Sequence, residues 1–260
     1  MKTLSKIRVP LRSLWRDIKY ISEYLKLARI HDRYSDYTMI PKRSYIHNLM
    51  LVHRFAGKLP MSELAVVECG SWRGGMSFGM VEMVPECQNF HIFDSFEGLP
   101  RPTDRDGQRA INLFDEKLLL YKRNIAPFDD MVSSLAKFGI TDKVTLHRGW
   151  FSDTVHFDAI GSPVGILRMD GDWYDSTMTV LERLYDYVVD NGLIIIDDYY
   201  TWPGCSQAVH DFLSKRKATE AIQVAFGKTV FLVKNPADFI EKLPSEEEKA
   251  LRLQRNVAQG

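Results

Sequence analysis

The sequence predicts an α/β fold: an open, mostly parallel sheet of seven strands flanked by helices and ended by an antiparallel hairpin. Three stretches carry the prediction. In the first, residues 164–169 form an apolar run ending in Asp170 and Asp172, and residues 193–196 form a second run ending in Asp197 and Asp198. Met178, Leu181, Leu184, Tyr185 and Val188 stand between them at helical spacing. A strand, a helix and a strand in this order make a crossover with parallel strands. In the second stretch, the apolar residues 64–67 run into the glycine-rich turn 68–75 and then a helix, the usual opening of a nucleotide-type binding fold. In the third, residues 221–226 and 229–234 are separated only by Gly227 and Lys228, too short a link for anything but a hairpin.

Composition bounds the rest. A chain of 260 residues makes one large domain, or one with appendages. Its 34 basic and 34 acidic residues cancel, so no overall field argues for nucleic acid as partner. Three cysteines, Cys69, Cys87 and Cys205, lack metal-site spacing, and an odd, low count fits a reducing, cytoplasmic setting. No apolar run approaches the ~20 residues of a membrane helix, and the N-terminus lacks a signal-type segment.

In chain order, residues 1–60 read as a helical cap, 61–235 as the sheet domain and 236–260 as a charged tail helix. Pro10 suits a first helical turn, after which Leu11, Leu14, Ile18, Ile21, Leu25 and Ala28 form one apolar seam. The seam suits packing or self-association, as a dimer or tetramer. Arg12, Arg16 and Lys19 leave a membrane-surface role open. Pro41 opens a second helix, with Tyr45, Leu49, Val52 and Phe55 on one side and Gly57 at its end. Such helices would cap a Rossmann-type body.

The turn after the first strand is spaced G-x-x-x-G-G rather than G-x-G-x-x-G, which speaks against a dinucleotide, and Glu68 suits a cationic or amine-bearing ligand. The second strand, 89–93, ends in Asp94, placed to accept hydrogen bonds from ribose hydroxyls. Residues 95–107 form a long loop, suited equally to a lid and to a plain surface loop. Residues 114–123 and 128–138 are predicted helices, and 143–147 a strand. Trp150 and Phe151 follow it, placed either to stack on an adenine or to fill core. Residues 203–215 read as a helix, and Ser245 with Glu248 as a capping box on the tail helix.

The two acidic clusters fall at the carboxyl ends of neighbouring strands, where open α/β sheets bind ligands. Carboxylates converging there repel one another unless a cation joins them, and hard oxygen donors favour Mg²⁺. The plainer reading is a set of solvated turn acids.

The motifs VVECGSWRGG, FDSFEGLP, GWFSDT, LRMDGDWYDST, IIIDDYYTWPGC and AVHDF, with Tyr37-Thr38-Met39, occur in that order except for the last triplet, which precedes them. Over residues 37–235 they resemble the macrocin-type sugar O-methyltransferases of antibiotic biosynthesis, with the related noviose enzymes. The resemblance implies a Rossmann-like class I methyltransferase using S-adenosylmethionine and Mg²⁺, acting on a glycoside or glycan. It implies that Glu68, Gly70, Arg73 and Gly74 hold the methionine end of the donor. Asp94 would bind the ribose, and Ser95, Trp150 and Phe151 would lie near the adenine. Thr38, Met39, Ser71, Phe96 and Asn124 would complete the donor site. Asp170, Asp197 and Asp198 would be metal ligands, Asp170 also the general base beside the donor, and Asp172 would sit just outside the ligand set. Two departures stand out. Trp173 stands where phenol-type enzymes often carry a lysine, and His210 where the family usually has an acid. The alternatives are the same chemistry on a phenolic diol, an NAD-dependent oxidoreductase, and a donor-binding protein without turnover.

Overall fold

The computed structural model describes residues 11–116, 124–225 and 228–236, with side chains from residue 21 onward. The basic N-terminal stretch, the segment 117–123 and the predicted tail helix lie outside the described residues. The elements are α1 (Leu11–Tyr34), α2 (Lys42–Ala56), β1 (Ala65–Cys69), α3 (Gly75–Met83), β2 (Phe90–Asp94), α4 (Gln108–Glu116), α5 (Phe128–Phe138), β3 (Val144–Arg148), β4 (Val164–Met169), α6 (Tyr174–Leu184), β5 (Val188–Ile196), α7 (Pro203–Arg216), β6 (Gln223–Ala225) and β7 (Thr229–Val233).

The strands form one seven-stranded sheet in the order β3-β2-β1-β4-β5-β7-β6. The first five are parallel, and β7 pairs antiparallel with both β5 and β6. The chain runs outward from β1 to β3 and restarts at β4 on the other side of β1. That reversal leaves a crevice at the carboxyl ends of β1 and β4.

Pleating sorts the strand side chains into two cores. Val66, Ile166, Leu193 and Ile195 face Tyr45, Ile46 and Leu49 of α2, while Val67, Leu167, Ile194 and Ile196 face Val180, Leu181 and Phe212 of α6 and α7. The cap helices therefore share a core with the sheet. Tyr45 fixes α2 to the start of α3 by donating its hydroxyl to the Gly75 carbonyl at 2.8 Å.

The apolar seam predicted on α1 splits in its described part: Ala28 packs against the core, while Ile21 and Leu25 face outward. Ile21 and Leu25 are each 55% exposed, whereas Leu27, Ile30 and Tyr34 are buried. The helix carries two overlapping apolar stripes. The one with the aromatic anchor wins, because Tyr34 meets Phe78 and Phe138 edge-on at 5.6 and 5.0 Å. Among the described residues no helix is long and apolar enough to cross a membrane.

Candidate active site

The crevice holds a cavity of about 300 Å³, the size of a small-molecule site. Its floor is built by the ends of four strands, β2, β1, β4 and β5, joined by three hydrogen bonds. Gly70 N–H donates to Phe93 O at 2.8 Å, Asp170 N–H to Cys69 O at 2.8 Å, and Asp197 N–H to Met169 O at 3.0 Å. Gly70 has φ of +89°, and a Cβ there would lie 1.8 Å from the Asp170 carbonyl oxygen. Only glycine lets these two turns touch.

Glu68, Arg168 and Asp170 share one side of the pleat, and Glu68 is the direct register partner of Arg168. Arg168 is fully buried and, among the described residues, is the only basic side chain lining the cavity. Its Nη1 donates to Glu68 Oε1 at 2.7 Å and to Asp170 Oδ2 at 3.0 Å. Its Nη2 lies 2.9 Å from Asp197 Oδ1, an ion pair too bent to count as an aligned hydrogen bond. Burial works against its charge, and Asp197, Asp170 and Glu68 more than restore it, holding the guanidinium protonated. Burial pushes Glu68 up to about 7, against the pull of Arg168 and of the Ser77 hydroxyl that donates to it.

Asp170, Asp197 and Asp198 each offer a carboxylate oxygen, all within 4.8 Å of one another. Metal–oxygen bonds of about 2.1–2.5 Å would let one hard cation meet all three after small side-chain shifts. The charge balance also fits a cation. Burial, then Asp172 and Asp170, push Asp198 well above the ordinary carboxylate range, and burial raises Asp197 as well. Asp172 stands beside the cluster with a left-handed backbone, φ +57°. Its N–H donates to Asp198 Oδ2 at 3.1 Å, and its Oδ1 accepts from Trp202 Nε1 at 2.7 Å. Burial and the neighbouring Asp170 push it up to about 7.

Asp94 ties the first two turns together. Its Oδ2 accepts from the N–H groups of Ser71 and Trp72 at 2.8 and 3.0 Å, and its Oδ1 from Phe96 N–H at 2.8 Å. Burial raises its pKa, and these backbone donors oppose the rise.

Eleven predicted donor-site residues line the cavity: Thr38, Met39, Glu68, Gly70, Ser71, Asp94, Ser95, Asn124, Trp150, Phe151 and Asp170. Three others are placed elsewhere. Arg73 stacks on Trp72 at 4.8 Å and lines a separate surface groove with Tyr37 and Lys137. Gly74 caps the start of α3. Phe96 is buried edge-on against Phe128 at 5.1 Å. His210 is exposed and pairs with the Tyr199 hydroxyl at 2.8 Å.

The loop 95–107 forms a wall of the cavity through Gly98, Leu99 and Pro100. Trp173 Nε1 donates to Pro100 O at 2.9 Å, and the N–H of Tyr174 to Asp106 Oδ1 at 2.7 Å. Trp173 is thus a fully buried anchor for this segment. Arg168 and Asp106 escaped sequence reasoning. Arg168 carries the stronger signal, a lone arginine inside an apolar run two residues before the first aspartate.

The chain matches the family model described as macrocin-O-methyltransferase (TylF) over residues 35–234. It is 32% identical over 177 residues to the 8-demethyl-8-(2,3-dimethoxy-alpha-L-rhamnosyl)-tetracenomycin-C 4'-O-methyltransferase of Streptomyces olivaceus, covering 64% of each chain. It is 34% identical over 169 residues to the mycinamicin III 3''-O-methyltransferase of Micromonospora griseorubida, covering 60% of this chain and 63% of that one. The matched stretch therefore spans less than two thirds of either relative's length. Among solved structures, the O-methyltransferase NovP superposes with a TM-score of 0.61 at 27% identity, over 76% of this chain and 82% of that one. The sheet order, the cavity at the β1/β4 reversal and the match across residues 35–234 agree, and the chain belongs to the macrocin O-methyltransferase (TylF) family.

Proposed function

We propose that this chain transfers the methyl group of S-adenosylmethionine to a hydroxyl of a vicinal diol on a sugar, within a glycoside or glycan. Mg²⁺ is held by Asp170, Asp197 and Asp198, and Asp170 is the general base. One observation carries this reading: Asp170 belongs both to the wall of the cavity and to the carboxylate cluster. Donor and acceptor sites thus meet at one side chain. The names of the relatives agree, since one specifies a rhamnosyl group and all are O-methyltransferases.

The chain's residues divide the work. Glu68, at the floor, suits the donor's ammonium group, and Asp94, whose three backbone hydrogen bonds fix its position, suits the ribose. Trp150 and Phe151, half-buried at the end of β3, offer faces for the adenine. Bound at the aspartates, Mg²⁺ would lower the pKa of an acceptor hydroxyl and orient it. Asp170 takes the acceptor hydroxyl's proton, and the oxygen attacks the methyl carbon in line with the sulfur, so that the O–C bond forms as the S–C bond breaks and S-adenosylhomocysteine leaves. The floor would hold oxygen and methyl aligned, and the wall at Gly98, Leu99 and Pro100 would keep water from them; both would lower the barrier.

The test is donor turnover against a panel of sugar and phenolic diols, with Mg²⁺ and then with EDTA. Transfer to sugars that stops in EDTA is expected. Undiminished transfer in EDTA removes the metal from the reading. Preference for catechols moves the acceptor to phenols, and tight donor binding without any transfer leaves a binding protein. The outward Ile21 and Leu25 support self-association of the chain, which sedimentation at rising concentration checks against Leu25→Lys.

A further inference from the structure

We infer that Arg168 is a positioning residue that sets the donor end and the metal end of the site in a single frame. The inference rests on the reading of the site given above. A buried guanidinium costs several kcal/mol to desolvate, and an apolar residue in its place is often no less stable. Fold stability alone therefore does not account for an arginine inside the otherwise apolar strand Val164–Met169. Its geometry supplies another reason. One nitrogen, Nη1, spans from Glu68 on β1 to Asp170 after β4, and the second, Nη2, reaches Asp197 after β5. Its Nε faces Asn48 Oδ1 of α2 at 3.4 Å, and Asn48 is itself buried and donates to Ser44 O at 2.9 Å.

The consequence lies in which oxygens remain. Arg168 occupies Oδ2 of Asp170 and faces Oδ1 of Asp197. The hydrogen bond turns the Asp170 carboxylate and the ion pair draws that of Asp197, so the second oxygen of each is the one a cation would meet. The same fork holds Oε1 of Glu68, while Ser77 takes Oε2, so the acid at the donor end is fixed from both sides. A planar fork does this and a point charge does not. A lysine ammonium at the same place carries the charge but does not reproduce the flat fork that hydrogen-bonds Glu68 and Asp170 while pairing with Asp197.

The test compares Arg168→Lys, Arg168→Met and Asn48→Ala in the full chain. Thermal melting and near-UV circular dichroism establish folding. Mn²⁺ binding is then read by electron paramagnetic resonance, and S-adenosylhomocysteine binding by calorimetry. Positioning by the fork predicts that Arg168→Lys weakens Mn²⁺ binding tenfold or more and donor-product binding several-fold, nearly as much as Arg168→Met. Asn48→Ala, which keeps every charge, is expected to weaken Mn²⁺ binding by a few-fold. If Arg168→Lys folds and binds both probes within twofold of the unsubstituted chain, the inference is overturned. If both arginine variants fail to fold, Asn48→Ala decides, and unchanged Mn²⁺ and donor-product binding there overturns it. Absence of Mn²⁺ binding by the unsubstituted chain would sink the proposed metal site instead, and the calorimetric arm would then decide the role of Arg168.

Discussion

Substituting Gly70 with alanine separates two physical effects that a glycine usually confounds. The first is backbone strain: a left-handed conformation costs a side-chain-bearing residue about 1–2 kcal/mol. The second is displacement. An alanine Cβ would stand 1.8 Å from the Asp170 carbonyl oxygen, so that oxygen must retreat by more than about 1 Å to reach ordinary contact. The Asp170 carbonyl cannot move without its carboxylate, which is both the proposed base and a proposed metal ligand. A shift of about 1 Å in such a group costs on the order of 100-fold in rate. Gly139 is the control. It has φ of +65° at the end of α5, and a Cβ added there would meet nothing within 4 Å. Gly139→Ala should pay the strain alone, lowering the melting temperature by roughly 2–8 °C for about 1–2 kcal/mol in a chain of this size. Gly70→Ala should lose comparable or greater stability and, in addition, about 100-fold in kcat at saturating donor and acceptor. Initial rates, normalised to the folded fraction from circular dichroism, read both. Activity of Gly70→Ala within threefold of the unsubstituted chain would refute the argument, and so would an equal loss in Gly139→Ala.

Asp170→Asn should remove nearly all transfer while calorimetric binding of the donor survives within about tenfold; a loss of donor binding alone, with kcat intact, would contradict its role as base. Trp202→Phe keeps an aromatic ring against Trp173 at 5.0 Å and deletes the 2.7 Å donor to Asp172, leaving a half-buried carboxylate oxygen without that partner. It should cost about 1–3 kcal/mol in denaturant unfolding. His91 is buried, pairs with His147 at 2.9 Å and faces Asn89 Oδ1 at 2.7 Å. Burial and the neighbouring His147 lower its pKa from 6.5 to about 4. The stability it contributes is full above 6.5 and is lost as pH falls toward 4, because the unfolded chain takes up the proton first. Melting temperature should therefore drop over that window more steeply in the unsubstituted chain than in His91→Phe.

The sheet was largely legible because its signals are local. Apolar runs placed six of the seven strands to within about two residues, and the crossover rule put Asp170 beside Asp197 and Asp198; β5 begins five residues before its predicted start, at Val188, which helical spacing had assigned to the preceding helix. What escaped notice depends on the pleat. Glu68, Arg168 and Asp170 stand on one face of two paired strands, and only the register of β1 against β4 makes Glu68 the partner of Arg168. The choice between two apolar stripes on α1 was equally hidden. Helical periodicity admits both, and the aromatic contacts that select Tyr34 over Leu25 come from α3 and α5, far along the chain. Arg73 and Phe96 illustrate a third limit, since motif position says nothing about which way a side chain turns.

The loop that walls the cavity bears on how that wall could be exchanged between relatives. Its grip is not its own: Trp173 at the head of α6 holds Pro100, the Tyr174 N–H holds Asp106, and Gly204 on α7 is bare because Asp106 Oδ1 would lie 2.1 Å from any Cβ there. Exchanging residues 98–107 alone would set a foreign loop on sockets shaped for another. A chimera that keeps its wall has to move Trp173, Tyr174, Trp202 and Gly204 with the loop, so the portable unit is a loop with its anchorage, drawn from three separate stretches of chain.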